Sequence, residues 1–249
     1  MTVIQDYLRA LNGIGVLDKC EIDVTGESTF LSVCLEKARS RLPVVFDVGA
    51  HVGDYTREVL KRAPRARMFV FEPHPKTFAS LGELAELPNV TPLNLALGER
   101  DGELPFYDYR DMDGSFHASL YRDVIETLHH APSVTHTVAV RRLADVAAEY
   151  GVDRIDLLKI DTEGHEYAVL EGAEPLIRAG AVDVIHFEFN EMNVISRRFF
   201  KDFWDFLPEY DFFRLLPDGV LHIGKYIPLA CEIFGFQNIV CVRKDHKLY

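Results

Sequence analysis

The stretch VVFDVGAHVGDYT, residues 44–56, decides the fold of this chain. Four of its first five residues are apolar, which predicts a strand that is buried on both faces of a parallel sheet. Gly49 and Gly53 then allow a sharp turn and a close approach of the backbone to a ligand, and the helix that follows points its free amides at that turn. Asp47 lies at the carboxyl end of the strand, where open parallel sheets bind ligands.

A second acidic strand end follows in RMFVFEP, residues 67–73. Glu72 comes nineteen residues after Gly53, the distance at which a nucleotide-binding βαβ unit places a carboxylate on ribose hydroxyls. The glycine pattern lacks the G-x-G-x-x-G spacing that packs a pyrophosphate against a helix. Asp47 beside the turn would repel a diphosphate but would favour a ligand with an amino group and a sulfonium. The two strand ends therefore predict S-adenosylmethionine rather than NAD.

Composition predicts one domain. The chain has 249 residues, of which 48% are hydrophobic, enough for one sizeable core. We expect that domain at 41–249, preceded by an N-terminal helical extension at 1–40 with helical patterns near 3–11 and 30–39. That extension is expected to be a lid, an oligomer contact or a cap over the sheet.

Charge and cysteine usage restrict the partners and the compartment. The net charge of −12 argues against a nucleic-acid partner, because phosphate binding needs clustered Lys and Arg. No basic leader or membrane-length apolar run is present in the sequence, so we predict a cytoplasmic protein with no membrane partner, and a homo-oligomer is left open. The cysteines have no paired spacing and are expected to be reduced thiols: Cys20, Cys34, Cys231 and Cys241.

Strands and helices alternate from residue 41 onward, which predicts an α/β fold with a doubly wound parallel sheet. A third strand at 90–98 would bring Asn94 and Ala96 to its carboxyl end, within reach of an adenine. The turn-rich region 99–133 is expected to be a mobile loop that borders the pocket. Further strands are predicted at 134–140, 155–160 and 182–190, and a closing antiparallel hairpin at 211–216, 220–223 and 238–244.

The densest chemistry lies in IDLLKIDTEGHE, residues 155–166. Lys159 and Asp161 share one face of a strand, so a buried charged pair would emerge at its carboxyl end. Glu163, His165 and Glu166 then crowd the start of the next helix. Converging titratable groups favour an active site. The alternative is a salt-bridged strand end with acidic helix capping.

Strand 182–190 would place His186, Glu188 and Asn190 on one face. If this strand neighbours the Asp161 strand, Glu188 approaches Asp161 and His165. We interpret His186 as a packed, hydrogen-bonded residue. Glu188 is a stronger candidate for function, because a buried carboxylate without a partner is unfavourable.

With these residues placed, the chain resembles the FkbM family of S-adenosylmethionine-dependent methyltransferases. The resemblance covers about 43–244 and rests on DVGAHVGDYT at 47–56, FEP at 71–73, KIDTEGHE at 159–166 and LEGA at 170–173. It implies a Rossmann-like class I methyltransferase fold with seven strands, the last of them antiparallel, with the glycine turn on the methionine moiety and Glu72 on the ribose. His51 stands where family members often carry Asn.

The resemblance also implies O-methylation of a hydroxyl on a sugar, a polyketide or another specialised metabolite, so the expected partner is a small-molecule or glycan acceptor. The expected cofactor-binding residues are Asp47, Gly49, His51, Gly53, Tyr55, Thr56, Glu72, Pro73, Asn94, Ala96 and Asp161.

Methyl transfer to an alcohol needs alignment of the acceptor and removal of its proton. We assign the general base to Asp161 or His165, with Lys159 orienting the carboxylate and Glu188 positioning the hydroxyl. A Mg²⁺ variant on Asp161, Glu163 and Glu188 ranks below metal-free catalysis. Two rival functions remain: a nucleotide-dependent oxidoreductase or epimerase that uses NAD, and a non-catalytic nucleotide-binding protein.

Overall fold

A computed structural model describes residues 2–17 and 22–249. Cys20 lies outside the described residues. The helices are α1 Val3–Asn12, α2 Ile22–Thr25, α3 Glu27–Glu36, α4 Asp54–Arg62, α5 Pro75–Ala79, α6 Gly82–Ala85, α7 Leu143–Glu149, α8 Glu166–Arg178, α9 Met192–Ser196, α10 Phe200–Phe206 and α11 Pro228–Cys231, with a π-helical turn at Val124–Leu128. The strands are β1 Val44–Val48, β2 Arg67–Phe71, β3 Val90–Leu93, β4 Ala96–Leu97, β5 Gly102–Tyr109, β6 Ser133–Arg141, β7 Ile155–Ile160, β8 Val182–Phe189, β9 Tyr210–Leu216, β10 Gly219–Ile223 and β11 Gln237–Arg243.

The central sheet confirms the α/β prediction. Its strand order is β10-β9-β11-β8-β7-β1-β2-β3, and β3, β2, β1, β7 and β8 run parallel. Strand β11 is antiparallel to both β8 and β9, as expected of the last strand. The carboxyl ends of β1, β2, β7 and β8 therefore meet at one edge of the sheet.

The sheet has eight strands rather than the expected seven. The additional strand is β10, which folds back antiparallel to β9 after the turn at Pro217 and Asp218 and forms the edge of the sheet. All five residues of β10 pair with β9, from Gly219 opposite Leu216 to Ile223 opposite Phe212, and the other seven strands keep the expected arrangement.

Alternation along β1 builds the two sides of the core. Phe46 and Val48 enter one apolar cluster, while Val45 enters another with Phe30 and Leu31 from α3. Strand β1 is therefore covered on both faces, as its apolar run predicts. Helix α3 begins three residues earlier than the predicted pattern and caps the sheet, and the lid role for 1–40 stays a prediction.

Region 99–133 is not a loop throughout, which corrects the sequence expectation. Strand β5 pairs antiparallel with β6, and β4 joins β6, to form a second, three-stranded sheet. The predicted third strand breaks for the same reason: β3 ends at Leu93 in the central sheet, and Ala96 already belongs to the second sheet. The loop proper is 110–120, between β5 and the π-helical turn.

Within residues 2–17 and 22–249, none of the helices is both long and apolar enough to cross a membrane.

Candidate active site

The glycine turn after β1 is fixed by the neighbouring strands. The amides of Gly49 and Ala50 donate to the carbonyl of Phe71 at 2.9 and 3.0 Å, so the turn is held against the end of β2. Gly49 has a φ of +81°, and a Cβ there would overlap the carbonyl oxygen of Asp161. Only glycine satisfies both the conformation and the close approach of β1 to β7.

The second glycine of the motif has a packing role. Gly53 has a φ of +87° and immediately precedes α4. A Cβ at this position would meet the side chains of Leu81 and Leu84, so Gly53 allows α4 to lie close to α6. It does not line either of the cavities described below.

Glu72 is buried at the end of β2 with hydrogen bonds to both carboxylate oxygens. One oxygen accepts from the amide of His51 at 2.8 Å, and the other accepts from the amide of His74 at 2.7 Å and the hydroxyl of Thr77 at 3.0 Å. Burial raises the pKa of Glu72 to about 7, although these donors oppose the shift. A carboxylate has about four lone-pair sites, so Glu72 can still accept from ribose hydroxyls.

Asp47 is also buried and lies on the adjacent strand. The hydroxyl of Thr56 donates to it at 2.5 Å, so Thr56 orients the carboxylate from the first turn of α4. Burial raises the pKa of Asp47 to about 6, against the effects of Thr56 and Lys159. Asp47 faces a large cleft, whereas Glu72 faces a smaller cavity beside it.

The two cavities share a wall. The smaller cavity has a volume of about 50 Å³ and apolar walls that include Pro73, Leu95 and Ala96. The larger cleft has a volume of about 1000 Å³ and contains Asp47, Lys159 and Glu188. The residues common to both are Gly49, His51, Phe116, Asp161 and Glu163.

Lys159 is the centre of the larger cleft. Its ammonium lies 3.6 Å from Asp161, 3.6 Å from Glu27 and 3.9 Å from Glu188. Burial alone would lower the pKa of Lys159, but these carboxylates raise it above its usual value. Its Nζ has no hydrogen-bond partner within the described part of the chain. The predicted Lys159 and Asp161 pair is therefore present, and Glu188 lies beside it.

His165 lies apart from the Lys159 cluster. It lines the smaller cavity but not the cleft, and its Nδ1 is 3.2 Å from the hydroxyl of Tyr121. Burial lowers the pKa of His165 to about 4, so the ring is neutral at physiological pH. The expected approach of Glu188 to His165 is therefore not seen: the two residues line different cavities.

Glu166 organises the loop after β7. One of its oxygens accepts from the amides of Thr162 and Gly164 and from the hydroxyl of Thr162, each at 3.0 Å. Glu163 then adopts a φ of +54°, which is uncommon for a residue other than glycine, and projects into both cavities. Burial and neighbouring carboxylates, first Asp161, raise the pKa of Glu163 well above its usual value.

The remaining predicted site residues divide into lining and supporting groups. Tyr55 lines the cleft, and its hydroxyl is 3.1 Å from Nδ1 of His186. His186 is fully buried and also contacts the side-chain oxygen of Asn238 at 2.8 Å, in agreement with its predicted structural role. Asn94 lines neither cavity: its amide donates to the backbone carbonyls of Glu72 and Pro73, so it braces the end of β2.

Sequence reasoning missed several residues that line the cleft. Glu27 comes from α3 and has no motif around it, although a lone carboxylate in an apolar helical pattern was a usable signal. Phe116 stacks on His51 with ring centroids 4.1 Å apart and is 69% exposed. The other missed residues are His117, Glu191 and Met192.

The carboxylates considered for Mg²⁺ do not converge. One ion shared by three side chains would need their ligand atoms to lie close together. The ligand atoms of Asp161, Glu163 and Glu188 do not all lie within 4.8 Å of one another. Among the described residues, the group that meets this criterion is His74, Asp113 and His136, outside the cleft.

Several known proteins with similar sequences are methyltransferases. A family model for the methyltransferase FkbM domain matches residues 47–213. The 2-O-methyltransferase NoeI of Sinorhizobium fredii is 25% identical over 187 residues, which cover 72% of this chain and 76% of NoeI. The 31-O-demethyl-FK506 methyltransferase FkbM of Streptomyces tacrolimicus is 32% identical over 168 residues, 57% of this chain and 65% of that protein.

A third relative is the hexuronic acid methyltransferase AglP of Haloferax volcanii, which is 29% identical over 154 residues, 60% of this chain and 57% of AglP. The family model spans more than half of the chain, and it includes the glycine turn, Glu72 and the Asp161 loop. The chain belongs to the FkbM methyltransferase family, and it is a methyltransferase.

Proposed function

We propose that this FkbM-family chain uses S-adenosylmethionine to methylate a hydroxyl of a sugar, a polyketide or a similar metabolite. The observation that carries the proposal is the position of Asp161, which borders both the smaller cavity and the larger cleft. One carboxylate can therefore contact a donor on one side and an acceptor on the other. The names of NoeI and FkbM support transfer to oxygen, and the name of AglP supports a sugar acid as the acceptor.

The donor side fits an adenosyl group. Glu72 can accept from the ribose, and Asp47 offers a negative charge near the glycine turn. The apolar walls formed by Leu95 and Ala96 suit an adenine face. When bound, the cofactor supplies an electrophilic methyl group on a sulfonium.

Phe116 must move to admit the adenine. The smaller cavity, at about 50 Å³, has room for a few water molecules rather than a fused ring. Phe116 belongs to its wall, is mostly exposed and packs at a tilt against the ring of His51. We therefore assign loop 110–120 as the mobile cover of the donor site.

The acceptor side supplies the proton transfer. Asp161 is the proposed general base, because it faces the cleft, whereas His165 does not. Lys159, 3.6 Å away, keeps the Asp161 carboxylate oriented. Glu188 lines the same cleft and is proposed to position the acceptor hydroxyl, and burial, followed by the Asp161 charge, raises its pKa well above its usual value.

We rank metal-free catalysis first, because the ligand atoms of Asp161, Glu163 and Glu188 are not all within 4.8 Å of one another in this arrangement. An activity assay with and without added Mg²⁺ checks this step. A cytoplasmic location and a homo-oligomeric state stay predictions from the sequence.

Calorimetric titration tests the donor. S-adenosylmethionine and its demethylated product should each bind with one-to-one stoichiometry, and NAD should not. Transfer of a radiolabelled methyl group to glycans, macrolactones and amino-bearing sugars then identifies the acceptor class. Binding of NAD in place of S-adenosylmethionine would overturn the donor assignment. A labelled methyl group found on nitrogen would overturn transfer to oxygen.

A further inference from the structure

Three side chains from separate elements converge beneath loop 110–120. His74 precedes α5, Asp113 lies in the loop, and His136 lies in β6. One oxygen of Asp113 is 2.9 Å from Nε2 of His74 and 2.8 Å from Nε2 of His136. His74 is buried, whereas the side chains of Asp113 and His136 are 31% and 24% exposed, so the cluster can be reached from solvent.

Negative charge surrounds this cluster. The buried Asp108 places an oxygen 3.6 Å from Nε2 of His74. That oxygen of Asp108 also accepts from the amides of Gly114 and Ser115, so it cannot swing away freely. The ammonium of Lys76 approaches the backbone carbonyl of Asp113 rather than either carboxylate. A divalent cation would complement two neighbouring aspartates here.

We propose that His74, Asp113 and His136 form a binding site for a borderline divalent transition metal ion such as Zn²⁺. Two imidazole nitrogens and one carboxylate oxygen are typical zinc ligands, whereas Mg²⁺ prefers oxygen ligands and retained waters. Three protein ligands leave a fourth tetrahedral position for water. This site is distinct from the proposed donor and acceptor cavities and does not depend on their assignment.

The distances require a small expansion. With metal–ligand distances near 2.0–2.1 Å, ligand atoms around a tetrahedral zinc ion lie roughly 3.3 Å apart, so the present contacts must lengthen by about 0.4 Å. Asp113 can provide this movement, because it is partly exposed and lies in a loop. His74 is the N-cap residue of α5 and His136 lies in β6, so regular secondary structure holds both rings in place.

Metal binding also selects a tautomer of His74. The amide of Lys76 donates to Nδ1 of His74 at 3.2 Å, so without metal the proton of the neutral ring is on Nε2. Ligation through Nε2 moves that proton to Nδ1 and gives up this long hydrogen bond. The rearrangement is confined to the start of α5.

An ion at this site would anchor the cover of the donor cavity. Asp113 is followed by Gly114, whose carbonyl contacts Nε2 of His51 at 3.3 Å, and then by Ser115 and Phe116. A ligand bond to Asp113 would therefore restrain the base of the loop while leaving Phe116 free to move.

Calorimetry on the full chain, first dialysed against a chelator, tests the proposal. We expect one Zn²⁺ to bind per chain, Mg²⁺ not to compete, and Co²⁺ to give visible d–d absorption from a site of low coordination number. His136→Gln and Asp113→Asn should each weaken Zn²⁺ binding by at least about tenfold. His222→Gln, at an exposed histidine in β10, is the matched control and should bind as the parent does.

Amide hydrogen exchange supplies a second readout that does not use activity. Zn²⁺ should slow exchange at 110–117 in the parent and not in His136→Gln. The proposal is overturned if the parent fails to bind Zn²⁺, or if both ligand variants bind it as tightly as the parent. In that case the cluster holds the loop by hydrogen bonds alone. Titration of the metal-free protein with S-adenosylmethionine separates this outcome from failure of the donor assignment.

Discussion

The donor and acceptor sides of the site differ in how their polar groups are satisfied. On the donor side, both oxygens of Glu72 accept hydrogen bonds from the protein itself. On the acceptor side, Nζ of Lys159 lacks a hydrogen-bond partner in the described ranges, and so do one oxygen of Glu163, which lines both cavities, and Nε2 of His165, which lines the smaller one. The Glu72 carboxylate is thus preorganised, whereas Lys159 in the cleft is a group that a ligand must still satisfy.

The difference indicates where binding energy and catalysis reside. A preorganised carboxylate binds a ligand with little rearrangement. Buried groups without partners are unfavourable in the free protein and become satisfied only when the substrate arrives. Four predictions test this contrast, beginning with the largest effect.

Asp161→Asn should slow methyl transfer by about 10²–10⁴-fold, because the variant cannot accept the acceptor proton. Donor affinity should change little, since the shape of the side chain is kept. Single-turnover rates at saturating S-adenosylmethionine measure the effect. The control is Asp54→Asn, at an exposed residue of the cleft mouth that should retain full activity. An Asp161→Asn variant as fast as the parent would remove Asp161 as the base, and loss of donor binding would move it to the donor side.

Lys159→Met should lower the free energy of unfolding by about 3–5 kcal/mol at pH 8, because the carboxylates of Asp161 and Glu188 would remain buried without their cation. The loss should be smaller at pH 5, because burial raises the pKa of Glu188 and lets its carboxylate take up a proton more readily. Urea denaturation at both pH values measures it. Adding Glu188→Gln should recover part of the stability. Lys201→Met, at an exposed pair with Asp205, is the control.

Lys159→Met with unchanged stability would show that the cluster is more hydrated than its burial indicates. The polar groups on the acceptor side would then have as many favourable partners as those on the donor side.

Glu72→Gln should weaken S-adenosylmethionine binding by about 10–100-fold, because charged hydrogen bonds to the ribose are lost. The rate at saturating donor should stay close to that of the parent, which distinguishes this variant from Asp161→Asn. Calorimetry measures the affinity, and Glu83→Gln in α6 is the control. Unchanged affinity would mean that Glu72 serves only to hold the amides of His51 and His74.

Asp47 and Glu72 should together cost the unliganded protein up to about 1 kcal/mol of stability between pH 6.5 and 8. Their pKa values are raised to about 6 and 7, so their contribution is fully present at low pH and is lost as pH rises through these values. Buried His165 offsets part of this loss, because its lowered pKa makes protonation on unfolding favourable until the pH is well above about 6.5.

Thermal denaturation across this range measures the loss, and saturating donor should reduce it. Glu72→Gln should flatten the profile. Stability that rises steadily from pH 6.5 to 8 would contradict the raised pKa values on the donor side.

The glycine turn and Glu72 of the proposed donor half were predictable from sequence because their spacing is local, whereas Gly53 and Asn94, also predicted to bind the donor, line neither cavity. A buried strand, a glycine turn and a helix in 44–56 fix Asp47 and Gly49 within a few residues of each other. Glu72 follows from the length of one βα unit. Parallel pairing of β1 with β2 and β7 then brings the predicted strand ends together.

The acceptor half depends on long-range packing, which spacing does not encode. Glu27 reaches Lys159 only because α3 packs across the sheet. His165 was a candidate base because it lies in a motif rich in titratable residues. The turn at Glu163 instead directs His165 to the smaller cavity.

The second sheet was missed because β5 carries Gly102, Pro105 and Asp108, which are typical of turns. The usable signal was the alternation that buries Phe106 and Asp108 on one face of β5.

The three-stranded sheet has a consequence for protein engineering. Its strands line the smaller cavity through Ala96 and Phe106, and Leu97 of β4 packs in the same core cluster as Phe46 of β1. The loop that β5 leads into, by contrast, places Phe116 and His117 in the wall of the larger cleft. Loop grafts between β5 and the π-helical turn should therefore change the lining of that cleft while the strands of both sheets stay unaltered, which makes this loop the natural place to begin directed evolution.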